Sequence, residues 1–242
     1  MTQNTCWQTN ILTLFPEAFS ALEHSICKRA MERDILKLNI VNIRDFATDN
    51  YKTVDDAPYG GGAGQVMKAD VLGRAIDSVY DKSNPKGSII YLSPRGKVFN
   101  QEIAEQLANE TETTFICGHY EGIDERVIEY YNITELSLGD FVLSGGEYAL
   151  LPIIDAVSRL LPNVLGSSVS LEEESFSKNL SGLLEYPHYT RPEVWNDLPV
   201  PEILKSGHHK NIENWRHEKS LEITRKNRPD LLKKIEFSKT IK

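Results

Sequence analysis

Apolar and polar positions along this chain fall into short alternating blocks. Ile11 to Phe15 is an apolar run of strand length, and Pro16 behind it suits the first turn of a helix. Ala18, Leu22, Ile26 and Ala30 then recur at four-residue spacing and give that helix one apolar face. Leu36 to Ile43 reads as a second strand. Asn50 to Gly64 is too rich in Gly, Pro and Asp for anything but a loop. Val71, Leu72, Ala75, Ile76 and Val79 mark a helix over 69–80. Behind it come a strand at 89–92, a turn at Ser93 to Gly96, and a helix over 100–109 with Asn100 as its cap. A strand at 114–117, a helix at 124–131, a strand at 133–138 and a long helix from near Gly146 complete the series. Strands alternating with helices this regularly predict an α/β fold, its sheet largely parallel and covered on both faces.

The pattern changes at Gly166. Residues 166–182 hold six serines and little apolar content, which predicts a flexible linker. Pro187, Pro192, Pro199 and Pro201 then pin an extended segment, and 212–234 carries a helical pattern through Trp215, Leu221 and Ile223. The expected organisation is an α/β domain over 1–165, a linker over 166–182, and a small, mostly helical domain over 183–242.

Composition narrows the classes. Of 242 residues, 40% are hydrophobic, enough for a sizeable core, and the three cysteines form no CxxC pair. A disulfide framework or a zinc site is therefore not expected, and a reducing cytoplasm is the simple setting. No apolar run reaches membrane-spanning length, and the first residues lack the basic-then-apolar pattern of a signal peptide. The net charge of −8 disfavours nucleic acid until it is divided along the chain. From Lys205 to Lys242, 11 Lys and Arg face 5 Asp and Glu, so a local +6 follows a body carrying −14. A basic arm for an acidic polymer and an ordinary solvated helix face both fit.

The chemistry concentrates in loops that follow strands. Gly145 and Gly146 lie between the strand at 133–138 and a helix whose first turn points unpaired N–H groups back at the loop. Gly118 to Val127 is a second loop of this kind. Two such loops at neighbouring strand ends make one pocket of nucleotide size. YGGGAG at 59–64 is neither a Walker loop nor a dinucleotide fingerprint. SPRG at 93–96 is an ordinary turn or a further wall. Asp124 suits a cap, whereas Glu121, within the loop, is the better ligand candidate. Arg159 sits where a helix C-terminus favours a cation anyway. Glu172, Glu173 and Glu174 are a solvated acidic run or supply a general base. His188, Tyr189 and Arg191 either stack on bases and pair with phosphate, or pack their own segment. His208 and His209 are adjacent and point apart on a helix, which argues against a shared metal.

Eight stretches in order carry a resemblance: LFPEAF (14–19), KTVDDAPYGGGAG (52–64), YLSPRG (91–96), CGHYEGIDERV (117–127), SLGDFVLSGGE (137–147), DAVSRLLPNVLG (155–166), LLEYPHYTRPEVW (183–195) and SGHHKNIENWR (206–216). With them the chain resembles the bacterial tRNA (guanine-37-N1)-methyltransferases, S-adenosylmethionine-dependent enzymes of the trefoil-knotted SPOUT class. The resemblance implies a deep C-terminal trefoil knot in the α/β domain, which general topology rules would have rejected. It also implies a homodimer with its active site at the subunit interface. It implies that Tyr91, Leu92, Ser93 and Pro94 bind the cofactor together with Gly118, Tyr120, Glu121 and Gly122. Ser137, Leu138, Gly139, Phe141, Leu143, Gly145 and Gly146 complete that set. By the same resemblance Glu174 is the base that takes the guanine N1 proton, and Arg159 is the cation that steadies charge on O6. Lys52, Asp55, Gly60, His188, Tyr189, Arg191, Trp215 and Arg216 are the implied tRNA contacts. Mg2+ belongs to the family's requirements, although the sequence shows no ligand cluster for a metal.

The chain departs from the family pattern in places. Glu174 replaces an Asp, with Glu172 and Glu173 beside it. The stretch 177–181 is about three residues longer than usual, as aligned by eye. Ala63 and Gln65 stand where Pro and Met are common, and His119 where Arg is common. These changes are expected to affect loop stiffness or RNA contact. The expected activity is methylation of guanosine N1 at tRNA position 37 where a guanosine precedes it. A knotted ribose 2′-O-methyltransferase and a catalytically silent RNA-binding protein are the alternatives.

Overall fold

The computed structural model describes residues 6–165 and 172–233. The chain divides into two compact units at Leu165/Gly166.

In the first unit, β1 (Trp7–Thr13), β2 (Leu36–Asn42), β5 (Gly87–Val98), β6 (Glu112–Ile116) and β7 (Thr134–Ser137) form one sheet in the order β2-β1-β6-β5-β7. All of its pairings are parallel. The α/β expectation with a parallel sheet therefore holds. Side chains alternate across the sheet, so each strand feeds two cores. Trp7, Ile11, Phe115, Ile90 and Leu136 lie in one cluster with α1 (Ser25–Glu32), α3 (Gln101–Ala108) and α5 (Gly146–Ser158). Leu12, Ile116, Ile89 and Tyr91 lie in the other with α2 (Ala69–Asp77) and α4 (Glu125–Tyr131). Leu150, Ile153, Ile154 and Val157 of α5 are fully buried, each contributing about 1.5–3 kcal/mol. That face fixes where α5 begins, and so where the loop before it sits.

Several boundaries differ from the sequence expectations, for identifiable reasons. The first strand starts at Trp7, not Ile11. Its early polar residues pair across the sheet: Trp7 Nε1 donates to Thr113, and Asn10 Nδ2 donates to Glu112 at 2.8 Å. The helix expected behind Pro16 is split. A 3-10 helix at Pro16–Glu23 and α1 are separated by the extended backbone of His24. The loop 50–64 holds the two-residue strand β3 (Asp55–Asp56), paired with β4 (Val66–Met67). Asn100 caps α3 by accepting from Ile103 N, and Asp124 caps α4 by accepting from Arg126 N.

The turn at Ser93–Gly96 is an excursion within β5. Leu92 and Lys97 both pair with Leu136, so the four residues between them loop out. A Cβ on Gly96 would stand 2.3 Å from Leu136 N, so only glycine lets the backbones cross there. Arg95 holds the excursion in place. Its Nε and Nη2 donate to Glu135 at 3.1 and 3.0 Å, and Nη2 also reaches Glu125 at 3.0 Å.

In the second unit, β8 (Val194–Trp195) and β9 (Leu198–Pro199) form an antiparallel hairpin, followed by α6 (Glu202–Lys205) and α7 (His209–Asn227). The first part of the expected linker, 166–171, and the tail 234–242 lie outside the described residues. Residues 172–182 are not an open linker. Phe176 N donates to Leu183 O at 2.8 Å, and Glu185 N donates to Ser175 Oγ at 2.9 Å. The serines there close turns rather than loosen the chain. The helix expected to run to 234 breaks after Asn227, because Arg228 precedes Pro229 and leaves the helical region at φ −140°.

Candidate active site

Every parallel strand of the sheet delivers its carboxyl end to the same edge, and three loops leave that edge side by side. They are Ser93–Gly96, Gly118–Gly122 and Leu138–Gly145. Together they line a cleft with Tyr91, Leu92, Leu136, Gly146 and Ala149. All fifteen residues expected to bind the cofactor line it. His119, Val142 and Ser144, within the same loops, line it too, as do Leu136 and Ala149, which lie outside the expected stretches. Their positions within or beside the quoted motifs were the available signal.

Glycine sets the width of the cleft. A Cβ on Gly118 would meet the Tyr91 ring at 2.6 Å, and one on Gly146 would meet Cys117 Cα at 2.7 Å. Gly146 N donates to Gly118 O at 3.0 Å, which ties two of the loops directly. Ser137 Oγ accepts from Gly139 N at 3.1 Å and fixes the start of the third. The walls are otherwise apolar, with Leu92, Leu136, Leu138 and Ala149 at the base and Phe141, Val142 and Leu143 exposed at the mouth. Burial, then the charge on Glu135, holds the Tyr91 phenol above its usual range, so that wall is neutral.

The 52–64 loop reaches this edge as well. Glu121 N donates to Gln65 O at 2.9 Å, and Met67 N donates to Gly122 O at 2.9 Å. Burial, then the hydrogen bond to Asp55, raises the pKa of the Tyr120 phenol. Asp55 thus stands beside the cleft. Lys52 sits 3.8 Å from Asp45, and Gly60 has open space around it on the exposed loop. Among the described residues, no group of three His, Cys, Asp or Glu is arranged to hold a metal ion. No helix among them is long and apolar enough to cross a membrane.

The family model described as tRNA (Guanine-1)-methyltransferase TrmD matches residues 7–234. The chain belongs to this tRNA (guanine-1)-methyltransferase family. A tRNA (guanine-N(1)-)-methyltransferase of Clostridium botulinum strain Hall is 56% identical over 229 residues, covering 95% of this chain and 93% of the relative. Those of Clostridium tetani, 53% identical, and Clostridium perfringens, 54% identical, each cover at least 95% of both chains.

The other residues expected from the family do not all meet at the cleft. Arg159 stands at the far end of α5, which places it about 20 Å along the helix from Gly146. Within one chain the structure does not bring it to the cleft. In the second unit, Glu174 is half-buried. Its neighbour Glu173 accepts from Tyr186 Oη at 2.7 Å and lies 3.6 Å from Arg216. Arg216 packs over the Tyr186 ring at 4.6 Å, so this expected RNA contact is turned toward its own unit. His188 lies 2.8 Å from Glu185, and Arg191 is exposed. Tyr189 and Trp215 sit with their rings 6.3 Å apart. On α7, the most buried positions are Ser220 and Thr224, not Leu221 or Ile223. Thr224 Oγ1 accepts from Leu184 N at 3.0 Å, so the helix approaches the 183–186 segment through small polar residues.

Proposed function

We propose that this protein methylates N1 of guanosine 37 in tRNAs with a guanosine at position 36, using S-adenosylmethionine. The observation that carries the proposal is the three-loop cleft, in a chain that matches the family over residues 7–234. The cleft's residues fit the donor. Glycine-lined backbone suits the polar edges of a nucleoside and an amino acid, and Leu92, Leu136, Leu138 and Ala149 suit the adenine faces.

The donor, when bound, supplies an electrophilic methyl group on a sulfonium sulfur. The rest falls to the chain's own residues. The N1–H bond of guanine must break as N1 bonds to the methyl carbon and the carbon–sulfur bond opens. Glu174 takes that proton. Arg159 faces O6, where negative charge accumulates as the proton leaves. The loop backbones and a gripped anticodon arm hold the two reactants in line, which supplies much of the acceleration. Tyr189, Trp215, His188 and Arg191 offer aromatic faces and cations for that grip. No step is assigned to Mg2+.

The reading extends to a homodimer. Arg159 lies a helix length from the cleft of its own chain, and Phe141, Val142 and Tyr148 are exposed beside the cleft mouth. A second copy would cover those apolar side chains and bring its own Arg159 and Glu174 to this cleft. The looped-out 93–96 segment, with Gly96 against the Leu136 backbone, supports the trefoil topology of the family. The second unit is the expected tRNA-binding domain, and the cytoplasm is the expected location.

A methylation assay with labelled donor and two transcripts tests the reading. One transcript carries guanosine at positions 36 and 37, and the other has adenosine at 37. Label on the first alone is the expected result. Equal label on both, or none on either, overturns it.

A further inference from the structure

Among the described residues, Glu147 is the only carboxylate that is buried, 2% exposed. Burying an ionised carboxylate is costly unless both oxygens find donors, so its partners show what the position is for. Oε1 accepts from Thr13 Oγ1 at 2.6 Å, and Oε2 lies 2.9 Å from His119 Nε2, which donates to it. Thr13 closes the end of β1 and accepts in turn from Phe15 N at 2.9 Å. The Phe15 ring covers His119 at 4.8 Å. Glu147 itself lies in the first turn of α5, directly behind Gly145 and Gly146. A Cβ on Gly145 would stand 2.3 Å from His119 Nε2 and 2.5 Å from Glu147 Oε2. One carboxylate therefore joins the end of β1, the 118–122 loop and the start of the helix behind the 138–145 loop.

We propose that Glu147 is a positioning residue for the methyl donor: acting through His119 and Thr13, it sets the spacing of the two glycine loops that flank the cleft. Glu147 does not line the cleft, whereas His119 does. Uncharged groups also pack on His119. They are the Phe15 ring, the Met67 sulfur that accepts from His119 N, and Tyr120. The Cys117 thiol beside them is pushed well up by burial and by the charge of Glu147. The carboxylate thus anchors the 118–122 loop through His119. Of the two expected effects of His119, on loop stiffness or on RNA contact, the contact with Glu147 favours the first.

The inference rests on the function proposed above, and calorimetry with S-adenosylhomocysteine separates the two. If the unaltered protein does not bind it, the proposed function fails. Where the unaltered protein binds, Glu147→Ala and Thr13→Val are expected to weaken binding by about 10- to 100-fold and 3- to 10-fold respectively, as expected for lost buried hydrogen bonds to a charged group. Thr13 does not line the cleft, so its effect cannot come from a lost ligand contact. Glu147→Gln, which can still accept from one partner and donate to the other, should recover most of the affinity. Glu147→Ala combined with His119→Phe should bind no worse than Glu147→Ala alone. The inference is overturned if Thr13→Val and His119→Phe lower the melting temperature while binding below that temperature is unchanged. It is equally overturned if the double variant's losses add.

Discussion

Replacing Gly146 by alanine tests the cleft geometry at its narrowest point. A methyl group there would sit 2.7 Å from Cys117 Cα and 3.1 Å from Gly118 N, where ordinary contact begins at 3.4 Å. Both neighbours are backbone, at the end of a central strand, and cannot rotate away. The start of α5 and the Gly118 loop must therefore separate by about 0.7 Å, which stretches the Gly146 N to Gly118 O bond. Overpacking of this kind costs about 1–3 kcal/mol, offset by up to about 1 kcal/mol because alanine is the better helix former. The net loss in stability is thus about 0–2 kcal/mol. The donor meets a different penalty, because a cleft displaced by most of an ångström loses contacts on both walls. We expect S-adenosylhomocysteine affinity, read by calorimetry, to fall at least 10-fold while the melting temperature drops by no more than a few degrees. Unchanged affinity with a well-folded variant would refute the claim that these two loops clasp the donor.

Gly73→Ala makes the converse case, since a Cβ on this α2 residue meets only the Tyr131 hydroxyl at 3.6 Å. It should stabilise the protein by about 0.5–1 kcal/mol in urea unfolding, and a loss would contradict the packing described for α2. The Tyr186 hydroxyl, buried and bonded to Glu173, has its pKa pushed up to about 12. A folded-state pKa above the unfolded value of about 10 means stability is complete below pH 10 and drains away as the pH rises toward 12. Tyr186→Phe should therefore lose less stability than the unaltered protein between pH 9.5 and 11.5, and parallel curves would contradict this. Glu174→Gln should lower turnover by at least about 100-fold with S-adenosylhomocysteine binding intact. If turnover survived there and failed in Glu173→Gln, the base would be the neighbouring residue.

Much of the architecture was legible because it follows from periodicity. The stripe on α5, the Asn100 cap and the strand–helix alternation are local patterns, and each needs only its own neighbours. What escaped depends on partners distant in sequence. Gln8, Thr9 and Asn10 look unlike a buried strand until Glu112, Thr113, Thr114 and Asn39 are known to lie alongside. The 172–182 segment looked loose because its composition is that of a linker, while its order comes from bonds to 183–186. The cleft was found through motifs and the role of glycine. The contact between His119 and Glu147 was not, because a buried hydrogen-bonded pair 28 residues apart leaves no spacing signature. Arg159 was read from a motif, and only the length of α5 shows how far it stands from its own chain's cleft.

In the proposed reaction a methyl group reaches a ring nitrogen whose proton Glu174 takes. The most direct measurement digests the methylated tRNA to nucleosides and locates the methyl group by fragmentation mass spectrometry. The added mass is expected on the guanine base, at N1, with none on ribose. Methyl on a ribose 2′-oxygen would contradict it, because that reaction requires neither Glu174 at N1 nor Arg159 at O6.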